Sequence, residues 1–591
     1  MKKTLFFIFL FQFFIFNFSF PDTHYVSKTG TNEHPYTSWA TAADSIQKGI
    51  DVAFYGDTVR VGPGAYYETV VMIPGIALIG AGMDSSIING NVPGNPPDRI
   101  VQGADSGVVE GFHVIGRGNN FDGGVGIYST VHISLKEISN NKVTNCDVGI
   151  WAGGNGSVIS NNISNNSMTG IVAEPLGDGL IINNTITYNN RGVNLWYGSY
   201  YRIVKNVISY SGSGIPIFGY VMDSLFIQNN LITDLTSEFV GSSAMHLSDG
   251  QSSRARIINN TITVEKKYQG ISISNINAEI KNNIITNGSY GVRADSPSCH
   301  VEASYNNLWN NTQNYSTSSG AVIDTSLGGN IYSDPMFVGD GDYHLQKYSP
   351  CIDAGDPNIK DPDSSRSDIG CYGGVYGETY TYLDLPPKAP DSLNASFDSV
   401  SITLTWKPNT EADLSHYLVY KDTVFNFIPD TFKIVGIISK DSSSFKDHNW
   451  VYGTTYYYKL SAWDLTNHQS SYSDELMIKA TDVPWTEEIK VELKKYSLSQ
   501  NYPNPFNPTT VIVYYLPDLG YQPAEVELTI YNLLGKVVRT LIKERQYPGE
   551  HRAVWDGKDD EGNDVASGIY FYRLKVSGVD FVKAKKMVLI R

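Results

Sequence analysis

Between Ile138 and Leu308 apolar and polar residues alternate in short runs, and each run breaks on an asparagine pair that leads on to Gly-Ile or Gly-Val. The second asparagine of each pair falls at Asn141, Asn162, Asn184, Asn206, Asn230, Asn260, Asn283 and Asn307, and only Lys205-Asn206 lacks the first. The second phase is Gly126-Ile127, Gly149-Ile150, Gly170-Ile171, Gly192-Val193, Gly214-Ile215, Gly270-Ile271 and Gly291-Val292. A period of about 22 residues is that of a solenoid, whose single coil cannot bury its own apolar face. Within one repeat, Ile181, Asn183 and Thr185 alternate with Ile182, Asn184 and Ile186. β-branched residues abound and no helical period survives, so each coil is short strands joined by tight turns. Leucine is too scarce at the repeat positions for a leucine-rich repeat. The pattern predicts an all-β chain built on a right-handed parallel β-helix, its coils stacked about 4.8 Å apart. Each repeated asparagine is expected inside a corner, bonded to backbone and to the next asparagine. Each glycine is expected to bend the chain into the following strand.

The flanks of this array read differently. Thr41 to Ala53 carries Ile46, Ile50 and Ala53 at helical spacing, which predicts one amphipathic helix capping the exposed end of the solenoid. Irregular coils run from Asp57 to Gly116, and the regular array ends near Tyr315. Pro386-Pro387 opens a new composition, with Leu404-Thr405-Trp406, Tyr417-Leu418-Val419-Tyr420 and Tyr456-Tyr457-Tyr458-Lys459-Leu460. Alternating strands around one tryptophan predict a small β-sandwich, and a second follows in residues 496–591.

Composition adds export and removes one class of partner. Met1-Lys2-Lys3 and an apolar run from Leu5 to Phe16 read as a signal peptide over residues 1–20. No other segment is apolar enough to span a bilayer. A net charge of −16 argues against nucleic acid as a partner. Cys351 and Cys371 bracket the last part of the solenoid domain and are candidates for a disulfide, whereas Cys146 and Cys299 lie in distant coils as buried thiols.

Three resemblances sharpen this reading. Tyr25-Val26-Ser27, Gly56-Asp57-Thr58-Val59 and Gly62-Pro63-Gly64 at the start resemble secreted β-helix proteins of the pectate-lyase-like superfamily. So do Asp334-Pro335-Met336-Phe337, Ser349-Pro350-Cys351-Ile352-Asp353 and Asp368-Ile369-Gly370 at the close, and the likeness spans residues 24–376. Residues 387–481 resemble a fibronectin type III module. Residues 496–591, with Asn501-Tyr502-Pro503-Asn504-Pro505-Phe506-Asn507-Pro508, Val526 to Asn532, Gly568-Ile569-Tyr570 and the closing Met587-Val588-Leu589-Ile590, resemble the C-terminal sorting domain of the bacterial type IX secretion system. That last resemblance implies passage through both membranes of a diderm bacterium, removal of the domain and linkage to surface lipid.

Chemistry is expected on the strands that follow Gly-Ile. Their outward residues form a ladder of Tyr128, Trp151, Val172, Asn194, Pro216, His246, Ser272 and Arg293, and two residues on lies a second, through Gly153, Glu174, Trp196, Phe218, Ser248 and Asp295. The pectate-lyase resemblance implies that this sheet is the substrate face. Tyr128, Trp151, Trp196 and Phe218 offer flat apolar faces to sugar rings, or stack on one another to cover the sheet. The long step from Asn230 to Asn260 inserts a loop near Glu238 to Ser243, beside His246 and Asp249. Arg293 and Asp295 follow two coils on, roughly 10 Å away. His246 or Arg293 is a candidate base for a polysaccharide lyase acting on an acidic glycan, with Asp249 or the loop acids helping to bind Ca²⁺. A glycosidase pair of Glu174 and Asp295 is excluded, since five coils separate them by about 24 Å. Neither the paired aspartates of polygalacturonases nor the Arg-x-Pro-x-x-Arg of pectate lyases is present. Asp361, Asp363 and Asp368 form a second candidate Ca²⁺ site or a hydrogen-bonded turn. Three functions therefore stand at this level. The first is a surface carbohydrate-binding or adhesive protein with a glycan partner and Asn194 among the binding residues. The others are a lyase and a purely structural surface protein.

Overall fold

The computed structural model describes residues 21–590 apart from 93–97, 119–123, 131, 175–177, 199–200, 222–223, 237–241, 249–253, 398–400, 451–452, 481–495, 502–503, 518–522, 578 and 580. The expected signal peptide, most of the inserted loop and Asp249 lie outside the described residues. Those residues fall into two units, 1–335 with 351–380, and 336–350 with 381–591.

In the first unit three parallel sheets run the length of a β-helix. Among the described residues, sheet 1 has 13 strands, from Thr23–Val26 to Val322–Asp324; sheet 2 has 11, from Val70–Val71 to Gln313–Thr317; sheet 3 has 11, from Gly64–Tyr66 to Asn307–Trp309. Neighbours in each sheet are successive coils, as the repeat requires. The inward column of sheet 2 includes Ile127, Ile150, Ile171, Val193, Ile215, Met245, Ile271 and Val292, all fully buried. Sheet 3 supplies Val143, Ile163, Ile186, Ile208, Ile232, Ile262 and Ile285 in the same manner. Each such side chain contributes about 1.5–3 kcal/mol by leaving water.

The corner between sheets 1 and 3 holds the asparagine ladder. Asn206 Oδ1 accepts from the backbone N–H and side-chain amide of Asn184, at 3.0 and 2.9 Å. Its own Nδ2 donates to Ile181 O, Val204 O and Asn230 Oδ1, at 2.9, 3.0 and 2.9 Å. The chain of amides runs through Asn141, Asn161, Asn184, Asn206, Asn230, Asn260, Asn283, Asn306 and Asn330. Two rungs therefore differ from expectation. Asn161 and Asn306, rather than Asn162 and Asn307, turn inward, because the preceding Ser160 and Tyr305 take the left-handed conformation (φ 54° and 55°). That left-handed residue precedes every rung from Asn141 to Asn306 and decides which amide enters the corner. Three of the asparagines at this position have a separate task. Asn229 donates to Cys371 O at 2.9 Å, Asn259 to Asp368 O at 2.9 Å, and Asn282 accepts from the Asp356 amide at 2.8 Å. These three tie the closing segment 355–374 onto the helix.

The repeated glycines also have another reason. Gly149 and Gly192 lie inside strands, and neither has a positive φ. A Cβ on Gly192 would stand 2.5 Å from both Gly214 O and Ile208 Cγ2, and one on Gly149 would stand 2.6 Å from Gly170 O. They permit close approach of coils and do not bend the chain.

The capping helix is shorter than its periodicity suggested. It spans Ile46–Asp51, buries Ile46, Gly49 and Ile50, and starts at Ser45. Residues before it are drawn into sheet 1, where Ala43 bridges Val26. Glu68 accepts the Ile46 and Gln47 amides at 2.8 and 3.0 Å, satisfying donors that the first turn leaves open.

The expected disulfide is not formed. Cys146, Cys299, Cys351 and Cys371 are all buried thiols outside any disulfide. The Cys351 thiol takes a bond from Asn307 Nδ2 at 3.0 Å, whereas the Cys371 amide is held by Thr261 Oγ1 at 3.0 Å. Thr261 and Asn307 stand two strands apart in sheet 3, about 10 Å, so the two cysteines serve different coils.

Among the described residues, the strands of the second unit pair antiparallel. The unit contains a short hairpin, Phe337–Gly339 with Asp342–Leu345, and two sandwiches. One packs a three-stranded sheet on a four-stranded sheet around Leu404, Trp406, Tyr417, Val419, Tyr458 and Leu460. The other does the same around Ile512, Leu528, Trp555, Tyr572 and Met587. Its strands Ala524–Asn532 and Gly568–Ser577 pair directly. No described helix is long and apolar enough to cross a membrane.

Candidate functional site

The outward row of sheet 2 is assembled by register. Gln102 pairs with Tyr128, Tyr128 with Trp151, Trp151 with Val172, and Val172 with Asn194. Leu195 opposite Ile217 carries the row across to Pro216, which pairs with His246; Ser272, Arg293 and Ser316 follow. The second row passes through Gly153, Glu174 and the Trp196–Phe218 pair to Ser248 and Ser274. Trp196 and Phe218 are placed here by backbone register alone.

The row is not the open ladder expected. Val172, Asn194 and Ser272 are buried, at 2%, 1% and 5% exposure, whereas Tyr128, Trp151, His246 and Arg293 are half-buried. This leaves an aromatic end and a charged end. At the aromatic end the Tyr128 and Trp151 rings lie 6.0 Å apart at 56°, and the Arg99 guanidinium sits 3.7 Å above the Tyr128 ring. The rings therefore pack partly on each other, with the cation lying over the π face. At the charged end Arg293 Nε reaches Asp295 at 2.9 Å, and its guanidinium lies 5.3 Å from the Tyr290 ring centre. Ser318 donates to the same carboxylate. His246 stands two strands from Arg293, about 10 Å, with Ser272 between. The two can therefore flank one sugar, but they are too far apart to share a proton.

Residues 123–269 match the family model described as a right handed beta helix region, and residues 518–580 match that of the FlgD Ig-like domain. The chain is a right-handed β-helix protein. A stretch of 187 residues is 26% identical to the amylopullulanase of Thermoanaerobacterium thermosulfurigenes, covering 31% of this chain and 9% of that protein's length. Among solved structures, PfbA, a surface adhesin of Streptococcus pneumoniae, is 13% identical over 51% of this chain and 94% of its own, with a TM-score of 0.32. A Fn3-like protein from Clostridium thermocellum is 24% identical over 17% of this chain and 97% of its own, with a TM-score of 0.14.

The β-helix protein does not bring Asp361, Asp363 and Asp368 together as one cation site. Asp361 accepts the Asp368 amide at 3.0 Å and the Gly374 amide. Asp363 accepts the amide and hydroxyl of Ser365 at 2.9 and 2.7 Å, and Asp368 accepts the Asp353 amide at 2.8 Å. These oxygens close the turns of the strap 355–374. Burial pushes the Asp361 carboxyl up, whereas the Ser365 bonds hold Asp363 down. The outer face of sheet 1 is likewise self-neutralised. Arg254 pairs with Glu302 at 2.5 Å, Arg256 with Glu279 at 3.5 Å, and Lys281 with Glu279 and Asp356 at 3.0 and 2.8 Å. What sequence reasoning missed lies in the second unit: Asp384, Asp464 and His468 present ligand atoms within 4.8 Å of one another. The signal was available as Asp464-Leu465-Thr466-Asn467-His468 at the end of a strand.

Proposed function

We propose that this is an exported, surface-attached protein that binds a polysaccharide along the outer face of sheet 2. The observation that carries the reading is the single register row, in which Tyr128 and Trp151 stand at one end and His246 and Arg293 at the other. Seven inter-strand steps make this row about 34 Å long, a length suited to an extended polymer. The aromatic end fits the apolar face of a pyranose, and the guanidinium at the other end fits a carboxylate or sulfate on the sugar. The match to amylopullulanase, which bears the name of a polysaccharide-degrading enzyme, supports a carbohydrate-related role. Export proceeds through the leader 1–20 and then through the terminal sandwich 496–591 by the type IX route. Its motifs and its self-contained core around Trp555 support that reading.

A glycan array with the mature chain tests the binding. Acidic polysaccharides should be retained, Trp151→Ala and Arg293→Ala should each weaken retention at least tenfold, and the double variant should abolish it. Retention unchanged in both single variants sinks the proposal. Growth of ultraviolet absorbance from unsaturated sugars, lost in His246→Ala, would move the assignment from binding to lyase chemistry.

A further inference from the structure

One edge of the sandwich 387–481 gathers more carboxylate than its cations balance. The strand Thr455–Asp464 ends on a buried aspartate whose Oδ1 accepts the amides of Thr466 and His468, both at 2.8 Å, and the Thr466 hydroxyl at 2.9 Å. That turn folds His468 back, so its Nδ1 stands 3.1 Å from Asp464 Oδ2 and 3.2 Å from Thr466 Oγ1. Asp384, on the segment leading into the sandwich, brings Oδ1 to 3.7 Å from the same nitrogen, while its Oδ2 meets Lys347 at 3.3 Å. Asp413 is only 4% exposed. Among the described residues its carboxylate has no hydrogen bond beyond its own amide, and Asp464, Glu411 and Asp384 bear on it with like charge. Burial pushes the Asp413 carboxyl up, and the neighbouring carboxylates push it the same way.

The geometry points to a divalent transition-metal site at Asp384, Asp464 and His468, with Asp413 behind it as a further carboxylate. An ion bound tetrahedrally at about 2.0–2.1 Å spaces its ligand atoms about 3.3–3.4 Å apart, and the distances of 3.1 and 3.7 Å around His468 Nδ1 bracket that value. Two carboxylates and an imidazole suit zinc or its neighbours better than calcium, which takes oxygen alone. His468 is 42% exposed and Asp384 22%, so an ion reaches the site from solvent. Once bound, it staples the segment at Asp384 to the strand end at Asp464 and discharges the acidic edge.

Zinc titration of the full chain, read by competition with a chromogenic chelator, tests this. One zinc per chain should bind, and His468→Ala and Asp384→Ala should each weaken that binding at least tenfold. Both side chains are partly exposed, so the variants should keep the wild-type circular dichroism. X-ray absorption of the loaded wild-type chain should show nitrogen and oxygen neighbours at about 2.0–2.2 Å. No uptake, uptake unchanged in either variant, or sulfur in the coordination shell overturns the assignment.

Discussion

The β-helix and the sandwich 387–481 both bury polar groups, and they satisfy them in opposite ways. In the helix corner the task is spread over a chain of neutral amides from Asn141 to Asn330, each repeating the bonds of the last. In the sandwich much of it falls on charged hubs, among them Asp447, which accepts from Lys421 Nζ at 2.6 Å, Tyr458 Oη at 2.7 Å and the Asn449 amide at 2.8 Å. A distributed neutral ladder has no single point of failure and no dependence on protonation. An ionic hub has both, because removing one partner strands a buried charge.

Four measurements test this contrast. Asp447→Ala should cost the sandwich most, about 3–5 kcal/mol, since it leaves Lys421 and Tyr458 buried without their acceptor; chemical denaturation of the sandwich would read it. Asn206→Ala should cost the helix less, about 2–4 kcal/mol from several orphaned amide partners. Its loss of hydrogen-exchange protection should be confined to the neighbouring coils, and global unfolding would refute the distributed picture. Acid should separate the two regions. Burial by itself would raise the Asp447 carboxyl, but the bonds from Lys421, Tyr458 and the Asn449 amide outweigh it and hold the pKa below the usual carboxylate range. Its stabilising share is therefore present above the unfolded carboxylate pKa and is lost as pH falls through the folded value. The sandwich transition should fall in that window while protection along the asparagine ladder persists. The smallest effect is expected for Arg254→Ala on the outer face of sheet 1, about 0–1 kcal/mol, because that ion pair is solvent-screened; a larger loss would make the face structural.

Much of this was readable in advance, for a local reason. The apolar columns through Ile150, Ile171 and Val193, or Ile163, Ile186 and Ile208, follow from a two-residue alternation repeated at a fixed period. The order of the outward row from Tyr128 to Arg293 follows from the same period. Its exposure did not: Val172 and Asn194 occupy outward positions of the alternation and are nonetheless buried. The inward rung at Asn161 in place of Asn162 turns on a backbone angle at Ser160 that the letters Asn-Asn do not carry. Cys351 and Cys371 show the same limit. Twenty residues apart in sequence, they are held against strands two coils apart.

The repeat alone specified the β-helix, its period and which apolar positions face inward, because a coil of this length can hide its apolar residues only against its own copies above and below. The tertiary structure alone decided which amide enters each corner, why glycine is required where coils nearly touch, and which distant carboxylates meet at Asp464. Those outcomes depend on distances between chain segments brought together from far apart, and no local pattern encodes a distance of that kind.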